Sequence, residues 1–136
     1  MSSANAEFVG RMLAAYLAGD EETLQAAMPP DGEIYGAPGL LNSGTYHGYE
    51  GFRHWIGQWE EAWGDVDYEL QDPVDIGETI VVIPARITGR GAGSGLEVDS
   101  TFGWLWQIRD DKMVRFHAYP AVDEALEAAK RLSGSD

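Results

Sequence analysis

The sequence of residues 96–120, LEVDSTFGWLWQIRDDKMVRFHAYP, decides the fold of this chain. Hydrophobic side chains recur at every second position along most of it, which is the period of a strand that buries one face. The alternation pauses at Asp110 and Asp111, a residue pair suited to a tight turn. The stretch therefore predicts a hairpin of two antiparallel strands, Leu96–Arg109 and Met113–Pro120.

The segments before and after this hairpin complete the domain. Alternation predicts two earlier strands, over residues 66–71 and 79–90. Helical spacing of hydrophobic residues predicts four helices: residues 5–18, a short one capped by Asp20, residues 50–63, and residues 122–132. Helices come first, an antiparallel meander follows, and a helix closes the chain. This order predicts one α+β domain over residues 1–136.

The composition excludes several classes of partner and site. The chain has 9 Lys and Arg against 23 Asp and Glu, a net charge of −14, which disfavours nucleic acid and anionic membranes as partners. It has no cysteine, which excludes disulfides, thiolate metal sites and a cysteine nucleophile. The N-terminus lacks a basic start and an apolar stretch, so we expect a soluble, cytoplasmic protein. No metal site and no cofactor are expected.

Several short phrases carry a family resemblance. They are Leu17–Asp20, Gly44–Gly48, Glu50–Arg53, Gly89–Gly95, Asp110–Arg115, and Tyr119 followed by Glu124–Leu126. These phrases occur in the order typical of a known family, and the chain resembles the SnoaL-like branch of the nuclear transport factor 2-like superfamily. The resemblance implies a cone-shaped α+β barrel, with N-terminal helices packed in a curved antiparallel sheet, a pocket at the wide end and a C-terminal helix. Members include isomerases, cyclases, dehydratases and domains without chemistry, so the fold alone does not define an activity.

The catalytic residues of those enzymes have no counterpart here. Matching the steroid isomerases by motif places their general base near Gly36 or Ala37. Their oxyanion-binding Asp and Tyr fall near Trp104 and Met12, and the acid–base Asp of the polyketide cyclases falls on Ala118. None of these side chains transfers a proton. The resemblance therefore implies the fold without a recognisable catalytic set.

Strand alternation predicts which side chains face the pocket. One face of residues 101–109 is aromatic, and Trp55 and Trp59 lie on the apolar stripe of a helix that would meet it. These residues predict an aromatic ligand site, with plain core packing as the alternative. The predicted lining is Tyr16, Tyr35, Trp55, Trp59, Arg86, Ser100, Trp104, Trp106 and Phe116.

Arg86 places a positive charge midway along a mostly apolar strand. Such a charge requires a partner of opposite charge or a hydrogen-bond acceptor. If the hairpin centres on Gly93, Arg86 lies opposite Ser100 on the pocket face and would hold a ligand carboxylate or enolate. A slip of one residue places it outside, among surface acids. Both placements are left open by the sequence.

The opposite face of the last two strands predicts a homodimer interface. Leu105, His117 and Tyr119 alternate with the inner residues and so point to the convex side, which many relatives use to dimerise.

Three functions follow from these patterns. The first is binding of a small apolar or aromatic molecule in the pocket. The second is an isomerase, cyclase or dehydratase with a relocated catalytic set, using Tyr16 or Tyr35 as acid and Arg86 for the oxyanion. The third is a non-catalytic dimerisation or interaction domain whose cone is collapsed.

Overall fold

The computed structural model describes residues 4–40, 43–91 and 97–134. Four helices and seven strands are found among them. Their order is α1 (Ala4–Ala18), α2 (Glu21–Ala27), β1 (Glu33–Gly36), β2 (Gly44–His47), α3 (Gly48–Ala62), β3 (Trp63–Leu70), β4 (Val74–Ile76), β5 (Ile80–Gly91), β6 (Glu97–Arg109), β7 (Lys112–Tyr119) and α4 (Val122–Gly134). Gly93 and Leu96, used in the predictions above, lie outside the described residues.

The strands form one curved sheet in the order β2-β1-β7-β6-β5-β3, and β4 also pairs with β5. The predicted hairpin between β6 and β7 is confirmed. Asp110 and Asp111 form its turn with positive φ angles of 52° and 58°, the backbone of a two-residue turn that matches strand twist. The predicted cap of α2 is present as well, because the Asp20 carboxylate accepts from the Thr23 backbone N–H at 3.2 Å.

One strand pair departs from the expected antiparallel pattern. β1 runs parallel to β7, with Ile34 beside Phe116 and Tyr35 beside His117. The short strands β2 and β4 were not predicted, because three or four residues are too few to establish an alternation.

Two hydrophobic cores lie on opposite faces of the sheet. On the inner face, α1, α2 and α3 pack into the curved sheet, which gives the cone-shaped α+β barrel. On the outer face, α4 packs its Ala125, Ala128 and Ala129 against Val82 and Leu105. None of the described helices is both long and apolar enough to span a membrane.

Gly103 allows α4 to approach β6 closely. A Cβ atom at this position would lie 2.6 Å from the Ala125 Cβ and 2.9 Å from the Ala121 carbonyl oxygen. Small residues on both sides of the contact are therefore needed for the helix to cover the sheet.

A β-bulge changes the inner face of β7. Gln107 pairs with Arg115 while the next residue, Ile108, pairs with Met113, so Val114 is the extra residue. Strict alternation from Phe116 along β7 would place Val114 on the inner face. The bulge gives that place to Met113, which is fully buried.

Candidate ligand-binding cavity

A cavity of about 70 Å³ lies between the helices and the inner face of β5, β6 and β7. Six of the residues predicted for the pocket line it: Tyr16, Trp55, Trp59, Trp104, Trp106 and Phe116. The remaining wall consists of Met12, Leu13, Leu24, Met28, Leu40, Phe52, Ile56, Tyr68, Ile87, Phe102 and Ala118. Most of these belong to the apolar stripes and faces visible in the sequence, whereas nothing in the sequence marked the loop residue Leu40.

Phe116 is the centre of the aromatic wall. Its ring centroid lies 4.6 Å from that of Trp106, 5.4 Å from Trp55 and 6.0 Å from Trp104. The Trp55 and Trp104 rings meet it close to perpendicular, an arrangement favoured by the aromatic quadrupole. These contacts hold the wall in place and give the cavity flat aromatic surfaces.

Two phenols supply polar groups to the cavity. The Tyr16 hydroxyl donates to the exposed Glu60 carboxylate at 3.0 Å. Burial, reinforced by Tyr68, raises the pKa of Tyr16, and burial likewise raises the pKa of Tyr68. Both therefore stay protonated at neutral pH and do not act as bases. The single Tyr16 proton is donated to Glu60, so Tyr16 offers a ligand its oxygen as an acceptor.

The Trp106 indole is a further polar group of the wall. Its side chain is 6% exposed, and its Nε1–H is fully buried without a hydrogen-bond partner among the described residues. No Asp, Glu, Lys, Arg or His occurs among the described residues that line the cavity. The cavity thus presents phenol and indole groups in an apolar wall and no charge.

Arg86 faces outward. It pairs with Thr101 across β5 and β6, and its guanidinium donates to the Asp99 carboxylate at 3.0 and 3.1 Å. The register differs by one residue from a hairpin centred on Gly93, and such a shift exchanges the two faces of a strand. Ile87 takes the inner position instead and lines the cavity. Ser100 lies opposite Ile87 but is exposed and does not line the cavity, so its predicted place in the lining was wrong. Of the two placements of Arg86 that the sequence left open, the structure has the outer one, so Arg86 does not belong to the lining either.

Tyr35 also lies outside the cavity. The parallel register places it beside His117 on the outer face, with ring centroids 4.9 Å apart. Its predicted place in the pocket was wrong because alternation within a strand does not reveal which strand it joins. The relocated set of Tyr35 or Tyr16 with Arg86 is therefore not brought together.

The predicted dimer surface is covered by the chain itself. Leu105 is fully buried beneath α4, so its place in an exposed interface was wrong. His117 and Tyr119 are 8% and 9% exposed. The Tyr119 hydroxyl lies 3.0 Å from His117 Nδ1, and His117 Nε2 lies 2.5 Å from the Glu33 carboxylate. These residues belong to a buried polar network instead.

The network continues beyond Glu33. Arg115 donates to the Glu33 carboxylate at 3.2 Å and to the side-chain amide oxygen Oε1 of Gln107 at 2.7 Å. Burial lowers the pKa of His117, and Glu33 only partly offsets this. Burial alone would raise the pKa of Glu33, but His117 and Arg115 lower it on balance. Neutral His117 then donates from Nε2 to Glu33 and accepts at Nδ1 from Tyr119, whose pKa burial raises to about 12.

This network predicts a loss of stability in mild acid. Because the folded-state pKa of His117 lies below its unfolded value, the unfolded chain takes up the proton first as the pH falls below about 6.5. We expect the free energy of unfolding, measured in urea, to decrease between pH 6.5 and 5, and His117→Gln to flatten that decrease. The control His47→Gln removes an exposed histidine and should keep the wild-type slope. Equal slopes for wild type and His117→Gln would contradict the assignment.

No group of three or more metal-ligating His, Asp or Glu side chains occurs within residues 4–40, 43–91 and 97–134. The cavity wall offers indole and phenol groups to a ligand but no set of carboxylates or imidazoles that would hold an ion.

Solved structures share this fold. A nuclear transport factor 2-like protein of unknown function from Burkholderia pseudomallei has a TM-score of 0.75 and 19% identity, over 93% of this chain and 97% of its own. TerC, co-crystallised with polyporic acid, has a TM-score of 0.74 and 21% identity, over 94% and 99%. A protein from Catenulispora acidiphila with a ketosteroid isomerase-like fold, in complex with trimethylamine, has a TM-score of 0.70 and 17% identity, over 93% and 94%. At these identities the likeness concerns the fold alone.

Sequence comparison defines the family. No curated protein sequence matches the chain. The model of the SnoaL-like domain matches residues 9–116, which is most of the chain and extends from within α1 to within β7. The chain therefore belongs to the SnoaL-like domain family.

Proposed function

We propose that the protein binds a small, uncharged aromatic molecule in the cavity between its helices and its sheet. The observation that carries this proposal is a wall of aromatic and aliphatic side chains whose polar groups are phenols and indoles, with no charged group among its described residues. An ion would lose its hydration there without a counter-charge, whereas an aromatic ring loses little and gains contacts.

The volume of the cavity limits the size of the ligand. About 70 Å³ is well below the roughly 300–1,000 Å³ of pockets that enclose drug-sized molecules. It is also about half of the roughly 150 Å³ of an engineered cavity that holds benzene. We therefore expect a molecule with no more than one aromatic ring, which the cavity encloses in part. Burying about 150–250 Å² of such a ring at about 25 cal/mol per Å² stabilises the complex by about 4–6 kcal/mol. Because the ligand also loses translational and rotational freedom on binding, this gain sets an upper limit on the affinity, a dissociation constant on the order of 0.1 mM at the tightest.

Three probes of equal heavy-atom count test the proposal: α-methylstyrene, acetophenone and benzoate. Each is a flat phenyl ring with a three-atom substituent, and only benzoate is charged. We expect the two neutral probes to bind, and 1 mM of each to raise the thermal midpoint by about 1–5 °C. Benzoate should have no effect, because desolvating its carboxylate costs more than its ring contributes.

A cavity-filling variant provides the control. Ala118 lies opposite Trp104 and lines the cavity, so Ala118→Leu places three more carbon atoms inside it. The variant should cost about 1–3 kcal/mol of stability and abolish the response to both neutral probes. A response that persists in Ala118→Leu, or that benzoate shares, would place the binding elsewhere and refute the proposal.

The enzymatic alternative has weaker support. Of the residues predicted for a relocated set, only Tyr16 lines the cavity, while Tyr35 and Arg86 lie on the outer face. The Tyr16 phenol donates its only proton to Glu60, so it meets a ligand as a hydrogen-bond acceptor. Catalysis of proton transfer requires a base at the ligand, and Glu60 is exposed and is not among the described residues that line the cavity.

The homodimer stays a prediction, and its surface has to be different from the one expected. Leu105 is covered by α4, and the large hydrophobic side chains exposed in the described part of the chain are Leu17 and Val74. Sedimentation of the purified protein measures the oligomeric state directly. A dimer that survives substitution of both residues would use a surface other than these two side chains.

A further inference from the structure

Trp106 is placed to recognise one specific group on the ligand. It lies on the inner face of β6, lines the cavity, and is one of the most buried aromatic side chains in it. Its neighbours across the sheet are Val81 on β5 and Phe116 on β7, neither of which has a side-chain acceptor. The indole Nε1–H is consequently a buried donor without a protein acceptor among the described residues.

A buried indole N–H is normally hydrogen-bonded, because leaving the donor without a partner costs its full desolvation. The residue that carries this donor without a partner is also part of the cavity wall. A ligand that brings its own acceptor into the cavity would restore the missing hydrogen bond. A ligand without an acceptor would leave the indole N–H without a hydrogen bond.

We infer that the ligand is an aromatic carbonyl compound whose oxygen accepts from Trp106 Nε1–H, an inference that rests on the proposed binding function. The acceptor is neutral, because no described cation lines the cavity to offset a carboxylate or phenolate. The ring then packs against the aromatic wall around Phe116, which holds the carbonyl group next to the indole.

The test compares acetophenone with α-methylstyrene, which has a CH₂ group in place of the carbonyl oxygen. Binding is followed by ¹H–¹⁵N spectra of the indole N–H groups, with the Trp106 resonance assigned by its absence in Trp106→Phe. Acetophenone should move this resonance downfield and α-methylstyrene should not. Trp106→Phe should weaken the binding of acetophenone about three- to tenfold, which is the range for one net hydrogen bond. It should change the affinity for α-methylstyrene by less than about twofold.

Trp104→Phe is the matched control. It removes the same indole atoms from the same strand and the same wall, but its Nε1 is not a buried donor without a partner. This variant should lower the affinity for both probes by the same factor. Equal weakening of both probes by Trp106→Phe, or acetophenone binding that leaves the Trp106 resonance in place, would overturn the inference while the proposed function survives.

Two further outcomes are decisive as well. If neither neutral probe binds the wild-type protein, the proposed function fails and the inference fails with it. If Trp106→Phe does not fold, the direction of the wild-type indole shift with the two probes decides alone.

Discussion

Leu105→Asp is expected to cost about 4 kcal/mol or more of the free energy of unfolding, a large part of the stability of a domain this size. The side chain of Leu105 on β6 is fully buried against the small residues of α4, so a carboxylate there loses its hydration. The Glu33 carboxylate hydrogen-bonded to the neighbouring His117 adds repulsion. Urea denaturation followed by circular dichroism measures the loss.

Leu17→Asp is the matched control, because Leu17 is 61% exposed on α1. It should cost less than about 1 kcal/mol. The milder Leu105→Ala keeps the protein folded and should cost about 2–5 kcal/mol. If Leu105→Asp kept wild-type stability and only changed the oligomeric state, α4 would not cover this face and the expected interface would be restored.

Phe116→Ala is expected to cost about 3–5 kcal/mol, the range for deleting a buried aromatic ring. Phe116 is 3% exposed and contacts the rings of Trp55, Trp104 and Trp106, so its loss removes the centre of the wall. The space left behind also enlarges the cavity. Two-ring ligands such as naphthalene, which the wild-type cavity is too small to enclose, should then bind and recover part of the lost stability.

Phe102→Ala removes the same atoms where the ring is only half-buried. The ring centroid of Phe102 lies 5.9 Å from that of Trp59. We expect Phe102→Ala to cost less than half of the stability that Phe116→Ala costs. Equal losses at the two positions, or a loss below about 1 kcal/mol at Phe116, would contradict the packing described for the wall.

The inner face of the sheet could be predicted from the sequence because alternation is a property of a single strand. Trp104 and Trp106 fall on the cavity side as their period requires, and the two aspartates form the turn between β6 and β7. The stripe on α3 likewise placed Trp55 and Trp59 at the wall. These are local signals, and they were sufficient for the α+β class, whereas the cone-shaped barrel was implied by the family resemblance.

The errors concern relations between segments. The face of Arg86 depends on the exact centre of a long hairpin, and one residue of register reverses it. Tyr35 faces outward because β1 joins β7 in parallel, and Leu105 is buried because α4 folds back over β6. No periodicity within a segment records which partner it meets. The Glu33, His117 and Tyr119 network was missed for the same reason, since its members come from β1 and β7.

The central claim is that a neutral aromatic molecule occupies the cavity beside Trp104, Trp106 and Phe116. The most direct measurement is anomalous diffraction from crystals of the protein grown with bromobenzene, whose bromine marks its position. The account predicts one dominant bromine peak inside the cavity, and no such peak in Ala118→Leu. A wild-type cavity closed by its own side chains, with bromine only at the surface, would contradict it.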